Sequence, residues 1–185
     1  MKRHVAKIKP RERVFLGCEG RSEFGYGALL ARIASEVPTV HLHIHAEILQ
    51  PGAGDPFELV RRATDRIAKI ERYRMRFKIK AVLLDIGDKQ KNADATKFAH
   101  GAGIDYLIWQ QPDHEGFLLR HLPGCNQRRP PRGASLDALI KEWPDYAKGM
   151  SGVQLEHRIG LNELLAACKV ESDLRAFVAK LGLSA

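Results

Sequence analysis

The sequence contains few cysteines and no long run of apolar residues. Its three cysteines, Cys18, Cys125 and Cys168, are odd in number and lack metal-ligand spacing, which argues against a disulfide framework and a zinc knuckle. No apolar stretch approaches the roughly 20 residues of a membrane helix, and the basic N-terminus is not followed by the apolar segment of a signal peptide. We therefore expect a protein of the reducing cytoplasm that neither spans a membrane nor is secreted.

Positive charge is what the chain has in excess. Its 185 residues include 30 Lys and Arg against 22 Asp and Glu, a net charge of +8. Residues 56–80 contain nine Lys or Arg and three acids, and a helix there would separate an apolar face from a basic one. Both a solvated helix surface and a track for nucleic-acid phosphates fit this pattern, as do the basic residues between positions 2 and 13. The candidate nucleic-acid-binding residues are Arg61, Arg62, Arg66 and Lys69 on the helix and Arg128, Arg129 and Arg132 in a later loop.

Apolar runs alternate with amphipathic segments along the chain. They predict strands at residues 13–18, 39–48, 79–85 and 105–110, and helices at 22–35, 56–73, 91–102 and 114–122. Residues from 135 onward are predicted to be helical, with breaks at Pro144 and Gly160 and two short helices between 151 and 183. The alternation predicts an α/β fold with a mainly parallel sheet of about four strands and helices on both faces. Residues 1–123 would form this core, and the basic, proline-rich loop and C-terminal helices of residues 124–185 would pack on it as one domain.

Acidic residues follow two of the predicted strands. Glu19 and Glu23 come after the first strand, and Asp85 and Asp88 come at the end of the third. The carboxyl ends of parallel strands meet at one edge of the sheet, where α/β proteins build their sites. Carboxylate oxygens are the ligands that Mg²⁺ prefers, so the pattern indicates a divalent metal and phosphoryl chemistry. Glu115, after the fourth strand, either joins this site or stabilises the start of a helix.

Two further patterns have a structural and a functional interpretation. The glycine-rich segment 51–56 is compatible with a phosphate-binding loop. However, Asp55 is a good N-cap, Pro56 suits the first position of a helix, and the Gly-Lys-Ser/Thr sequence that ends a Walker loop is absent. We therefore do not expect ATP binding. Three alternating histidines in the second strand share one face, which favours a surface role; in the functional alternative, His45 contacts phosphate or assists proton transfer.

Four short motifs occur in order across residues 11–123. They are the turn Cys18-Glu19-Gly20-Arg21-Ser22-Glu23 followed by Tyr26, the loop Gly52-Ala53-Gly54-Asp55-Pro56, the strand ending at Asp85, and Pro112-Asp113-His114-Glu115 with Leu118, Leu119 and His121. In order and spacing these motifs resemble the RloB-like family. The resemblance implies a Toprim-like fold, shared with topoisomerases, primases and OLD-type nucleases. It also implies a role in bacterial antiviral defence of the abortive-infection kind, with an ATPase encoded alongside as a partner.

The resemblance also implies roles for individual acids. Glu19 matches the Toprim glutamate that acts as general acid/base or metal ligand, and Asp85 matches the first aspartate of the Asp-x-Asp metal motif. Position 87 is Gly, so Asp88 is the nearest carboxylate to the second aspartate, while Glu23 and Glu115 match further acids near the same edge.

The leading hypothesis from the sequence is a Mg²⁺- or Mn²⁺-dependent nuclease. The alternative is a non-catalytic subunit that binds nucleic acid or docks on an ATPase, which the departure at Gly87 favours. The choice between DNA and RNA, and assembly with further copies of the chain, stay open.

Overall fold

Four parallel strands form the centre of the computed structural model, which describes residues 10–49 and 54–183. The sheet order is β2-β1-β3-β4, with β1 (Glu12–Cys18), β2 (Leu42–Ile48), β3 (Ile79–Asp85) and β4 (Tyr106–Gln110). The basic residues 2–9 and the loop residues 50–53 discussed above lie outside the described residues. Eight helices occur in the described part: α1 (Arg21–Glu36), α2 (Pro56–Glu71), α3 (Lys89–Ala102), α4 (His114–Leu119), α5 (Ser135–Glu142), α6 (Gly152–Glu156), α7 (Leu161–Cys168) and α8 (Ser172–Lys180).

Successive residues of a strand are buried on opposite faces of the sheet. In β1, Val14 and Leu16 belong to one core cluster and Phe15 belongs to the other. The first cluster contains side chains of α1, α4, α5, α7 and α8, and the second contains those of α2 and α3. Side chains on a strand point alternately to its two faces, so a strand that is apolar throughout needs helices on both sides. The sequence-based prediction of an α/β fold with a parallel sheet is confirmed.

The C-terminal helices share the core of the sheet. Ile159, Leu164 and Phe177 are fully buried in the same cluster as Val14 and Leu16 of β1. Three helices, rather than the expected two, follow residue 151, and the predicted break at Gly160 lies between α6 and α7. Within the described residues, no helix is both long enough and apolar enough to span a bilayer.

Two buried polar contacts connect α4 to its surroundings. The guanidinium of Arg120 is fully buried, pairs with Glu171 and donates from Nη1 to the carbonyl of Gly116 at 2.7 Å. The hydroxyl of Tyr26 on α1 lies 2.8 Å from Nε2 of His121, and burial lowers the pKa of His121 to about 3. A neutral imidazole accepts at one nitrogen and donates at the other, so His121 accepts from Tyr26 and donates from Nδ1 to the carbonyl of Phe117 at 3.1 Å. These side chains fix the position of α4 at the carboxyl edge of the sheet.

Helix α1 passes so close to the loop before α6 that only glycine fits at position 25. A Cβ atom on Gly25 would lie 1.9 Å from the backbone oxygen of Met150. We expect Gly25→Ala to lower the free energy of unfolding by about 2 kcal/mol, because backbone atoms have to move apart. Chemical denaturation measures this change.

The matched control is Gly101→Ala, near the end of α3, where an added Cβ meets no atom within 4 Å. This substitution should raise the free energy of unfolding by about 0.5–1 kcal/mol through helix propensity. A Gly25→Ala protein as stable as the wild type would contradict the close packing of α1.

Candidate active site

The carboxyl edge of the sheet brings together acids that lie far apart in the sequence. Glu19 follows β1 and Asp85 ends β3, and these strands are neighbours in the sheet. Glu23 lies in the first turn of α1, and Asp113 and Glu115 lie at the start of α4. Each of these four other acids raises the pKa of Asp85 through its charge. The structure therefore places these acids in one electrostatic cluster.

Asp85 has a strongly perturbed carboxyl group. Its pKa is raised to about 8, first by burial and then by the charges of nearby acids, of which Glu23 and Glu19 contribute most. Its Oδ1 is buried without a hydrogen-bond partner among the described residues. A buried carboxylate among other anions is destabilised unless a proton or a cation offsets the repulsion. Of the acids in the cluster, Asp85 is therefore the one that a bound cation would stabilise most.

Glu19 lies beside Asp85 on a half-buried loop between β1 and α1. Its Oε1 accepts a hydrogen bond from the backbone N–H of Gly54 at 3.2 Å. Burial raises the pKa of Glu19, the charge of Glu23 raises it further, and backbone hydrogen bonds from Gly54 and Asp85 oppose the shift. A carboxyl group that is held in place, partly exposed and easier to protonate than usual can exchange protons with a ligand.

Glu23 is buried and holds the start of α1. Its Oε2 accepts from the backbone N–H of Gly20 at 2.9 Å, which satisfies a donor that the helix itself leaves unpaired. Its Oε1 lies 3.8 Å from Nδ1 of His114. One carboxyl group thus serves a helix terminus and also contributes negative charge to the cluster.

Gln110 and His114 are buried polar residues in this site that the sequence interpretation missed. The side-chain amide Nε2 of Gln110 lies 2.8 Å from Nδ1 of His114. An amide nitrogen only donates, so Nδ1 accepts and the ring proton lies on Nε2; burial, which lowers the pKa of His114, agrees with this neutral form. Oε1 of Gln110 then has no partner among the described residues. Because Gln110 is the register partner of Asp85, the two side chains share a face of the sheet.

The only sequence signal for Gln110 was a polar residue at the end of an apolar strand. Many strands end this way before a loop, so the signal does not separate a site residue from an ordinary strand end. His114 carried no signal beyond its place in the family-like motif.

Glu115 and Asp113 differ in how their carboxylates are used. Oδ1 of Asp113 accepts from the backbone N–H of Gly116 at 2.9 Å and so acts as the N-cap of α4. Oε1 of the buried Glu115 lies 3.1 Å from Nζ of Lys148, whose side chain is 61% exposed. Lys148 therefore places an accessible cation at the rim of the acidic cluster, a contribution that sequence reasoning missed because 33 positions separate it from Glu115.

Asp88, the candidate for the second metal aspartate, lies at the start of α3. Its Oδ1 accepts from the backbone N–H of Lys91 at 2.9 Å, and its backbone oxygen accepts from Asn92. The side chain is exposed and forms the N-cap of the helix. One oxygen of this carboxylate therefore already accepts a hydrogen bond from the helix, and the role of Asp88 as a metal ligand stays a prediction.

The candidate basic residues fall into paired and unpaired groups. Lys69 and Arg132 are exposed and form no ion pair within the described part of the chain. The guanidinium of Arg62 donates to the carbonyl of Leu49 at 3.3 Å, at the end of β2. The remaining four form ion pairs: Arg61 with Glu58 and Asp65, Arg66 with Glu47, Arg128 with Glu142, and Arg129 with Glu171.

Two other sequence interpretations can be placed in the structure. Asp55 accepts from the backbone N–H groups of Phe57 and Glu58, and Pro56 is the first residue of α2, so the predicted helix cap is confirmed. His45 contacts the rings of Phe15 and Phe77 and lies 3.3 Å from Glu47, in the middle of β2 rather than at the acidic cluster. Its proposed phosphate contact stays a prediction.

The oxygen atoms of the site suit a hard cation, although they do not form a complete cage. Asp85 Oδ1 and Gln110 Oε1 are two buried acceptors without partners on the same face of the sheet. Among the described residues, however, no group of three or more His, Cys, Asp or Glu side chains converges on one metal position. Mg²⁺ usually keeps several waters and binds to one or two carboxylates together with substrate phosphate. The donor set fits a Mg²⁺ ion held in that open manner.

Comparison of the chain with protein-family models, with curated proteins and with solved structures gives no match. The resemblance to the RloB-like family therefore rests on the motifs in the sequence alone, and Toprim identity stays a prediction.

The raised pKa of Asp85 predicts how stability depends on pH in the absence of metal. The folded state holds the Asp85 proton up to about pH 8, whereas an unfolded aspartate releases it near pH 4. The stabilising contribution is therefore complete below about pH 4 and is lost as pH rises through about 8. In EDTA, the free energy of unfolding should fall across this range, and Asp85→Asn should make the fall shallower.

Denaturation at several pH values measures this slope. Asp145→Asn applies the same substitution at an exposed position outside the cluster and serves as the control. Equal slopes for wild type and Asp85→Asn would show that Asp85 ionises normally.

Proposed function

We propose that this protein is a Mg²⁺- or Mn²⁺-dependent nuclease of Toprim type that acts in antiviral defence. One observation carries the proposal: the buried, unpartnered Oδ1 of Asp85 lies among the charges of four other acids at the carboxyl edge of a parallel sheet. A divalent cation relieves this repulsion, and sites at that edge are typical of open α/β sheets. The role in defence and an ATPase partner rest on the family resemblance.

Asp85 and Glu19 would hold the cation, with the amide oxygen of Gln110 as an additional ligand. When bound, the ion would polarise a phosphodiester and favour formation of hydroxide from a bound water. Glu19 would also handle the proton, because its carboxyl group is half-exposed and held in place by Gly54. Lys148 would place its ammonium group against a phosphate oxygen at the rim.

Buried residues of the site would orient the oxygen atoms that hold the cation and would not touch the substrate. Gln110 is fully buried, and its amide is oriented by Nδ1 of His114. Glu23, which is also buried, adds negative charge beside His114 while it holds the start of α1. These contacts would fix the oxygen atoms before a cation arrives, which lowers the cost of organising the site.

Two substitutions test the nuclease directly. Glu19→Gln and Asp85→Asn should each lower Mg²⁺-dependent cleavage of plasmid DNA or total RNA by at least about 100-fold, because each removes a charge needed for metal or proton transfer. Both variants should unfold cooperatively, which shows that they are folded, and should bind nucleic acid in EDTA. Lys97→Ala on α3 is the control and should cleave normally. Wild-type cleavage by either acid variant would rule out the assignment.

A non-catalytic subunit is the second candidate, favoured by the helix-cap role of Asp88 and by the absence of three converging acids among the described residues. Such a protein would bind nucleic acid or an ATPase and would use its acids structurally. Absence of metal binding in calorimetry would support this candidate, whereas metal binding without cleavage of either substrate would indicate a missing activating partner.

Substitution of Asp88 separates capping from metal binding. Serine keeps an N-cap oxygen but removes the carboxylate, so Asp88→Ser should retain the stability of the wild type and its Mg²⁺ affinity in calorimetry. Asp88→Ala should lower the free energy of unfolding by about 1 kcal/mol through loss of the cap. A large loss of Mg²⁺ affinity in Asp88→Ser at normal stability would instead make Asp88 a ligand.

A further inference from the structure

A groove lies between the edge strand β2 and the C-terminal half of α2, away from the acidic cluster. Its volume is about 410 Å³, and its lining includes His45 and Glu47 of β2 and Lys69, Tyr73 and Arg74 of α2 and the turn after it. Helix α2 runs antiparallel to the strands, so this end of the helix is near the amino edge of the sheet. The groove is therefore a second surface, separate from the site described above.

The turn after α2 exposes apolar side chains among unpaired cations. Tyr73 is 84% exposed and Met75 is 65% exposed, the two highest values for large apolar side chains in the described part of the chain. Arg72, Arg74 and Arg76 alternate with them, are exposed and form no ion pair among the described residues. Basic residues at a helix C-terminus are favoured by the helix dipole, but that effect does not account for an exposed tyrosine among them.

This turn is fixed to the sheet and does not extend freely from it. The backbone N–H of Tyr73 donates to the carbonyl of Ile70 at 3.2 Å, and that of Phe77 donates to Glu71 Oε1 at 2.8 Å. The guanidinium of Arg13 donates to the carbonyl of Met75 and stacks on the ring of Phe77 at 4.1 Å. The aromatic ring of Tyr73 is thus presented from a defined position.

Cationic side chains connect the groove with the carboxyl edge. Arg62, Arg66 and Lys69 are spaced by four and three residues on α2, so they share one stripe, and Tyr73 follows four residues later. The stripe covers about 16 Å at 1.5 Å per residue. Arg62, at its far end, contacts the carbonyl of Leu49 just beyond the end of β2. Glu47 is the acid in the groove lining, and it lies 3.5 Å from Arg66 and 3.3 Å from His45.

We propose that this groove and stripe bind single-stranded nucleic acid, with an unpaired base stacked on Tyr73 and phosphates on Arg74, Lys69 and Arg62. An exposed aromatic ring beside a track of cations suits single strands, because a base inside a duplex has no free face to stack. The inference deepens the proposed function, since it names single-stranded substrate for the nuclease. It also assigns the binding surface to one side of α2, which excludes Arg61, whose guanidinium pairs with Glu58 and Asp65.

Binding in EDTA tests this surface without dependence on metal or cleavage. The probe is a fluorescein-labelled DNA or RNA strand of about 20 nucleotides of mixed sequence, compared with its duplex by fluorescence anisotropy. Tyr73→Ala should raise the Kd for the single strand about tenfold and leave the weaker duplex binding unchanged. Tyr73→Phe, which keeps the ring, should bind as the wild type does.

Removal of charge tests the phosphate contacts. Lys69→Ala/Arg74→Ala should raise the Kd and reduce the slope of log K against log salt by about 1.4, as expected for two lost phosphate contacts on a single strand. The double variant Lys97→Ala/Lys180→Ala removes the same charge from exposed positions on α3 and α8 and should keep the wild-type slope.

Three results would overturn the inference. They are wild-type affinity of Tyr73→Ala for the single strand, an equal loss of affinity for the duplex, and full displacement of the strand by vesicles of anionic lipid. The nuclease proposal fails separately: Tyr73-dependent binding by a protein that neither binds Mg²⁺ nor cleaves would uphold this surface and reject the nuclease, and cleavage with unchanged binding by Tyr73→Ala would do the reverse.

Discussion

Repulsion among carboxylates at one edge of the sheet is the constraint on which the site depends. Strand register places Asp85 beside Gln110, and the β1 to α1 turn adds Glu19 and Glu23. Each of these positions is fixed by backbone geometry that the core supports, because β1 and β3 are buried on both faces. The fold therefore keeps anions close that would separate if they were free to move. The stability of the core offsets the electrostatic repulsion among these anions, and a bound cation or proton reduces that repulsion.

The sequence predicted those parts of the structure that follow from local patterns. The apolar run 79–85 predicted β3 with its observed bounds, and the cap Asp55 was recognised because N-cap chemistry is set by neighbouring residues. The position of Asp85 at the carboxyl edge followed from strand direction alone. Each of these features depends either on residues a few positions apart or on the general geometry of parallel sheets. They could therefore be predicted without knowing which distant residues are in contact.

The parts that escaped prediction depend on residues that meet only in the folded chain. In the arginine loop, Arg128 forms an ion pair with Glu142 and Arg129 forms one with Glu171, so neither guanidinium is unpaired. No local sequence pattern predicts these ion pairs. The orientation of Gln110 depends on His114, whose burial depends in turn on α1 and α4. The third helix after residue 151 shows the same limit, since short helices owe their boundaries to packing more than to propensity.

The acidic cluster at the carboxyl edge and the basic stripe on α2 carry opposite charge, so they would act differently on nucleic acid. The cluster around Asp85 would repel a polyanion, whereas the stripe from Arg62 to Tyr73 would attract one; Arg62, at one end of the stripe, contacts the carbonyl of Leu49 just beyond β2. A nucleic-acid strand drawn to the stripe would reach the acidic edge only where a cation neutralises it, because Coulomb repulsion between phosphate and an unscreened carboxylate is strongest at a half-buried edge. Under the proposed function, the net charge of +8 would favour association with nucleic acid at long range, while a bound cation would control access to the acids. Binding and cleavage would then be separable steps, with metal required for the second alone.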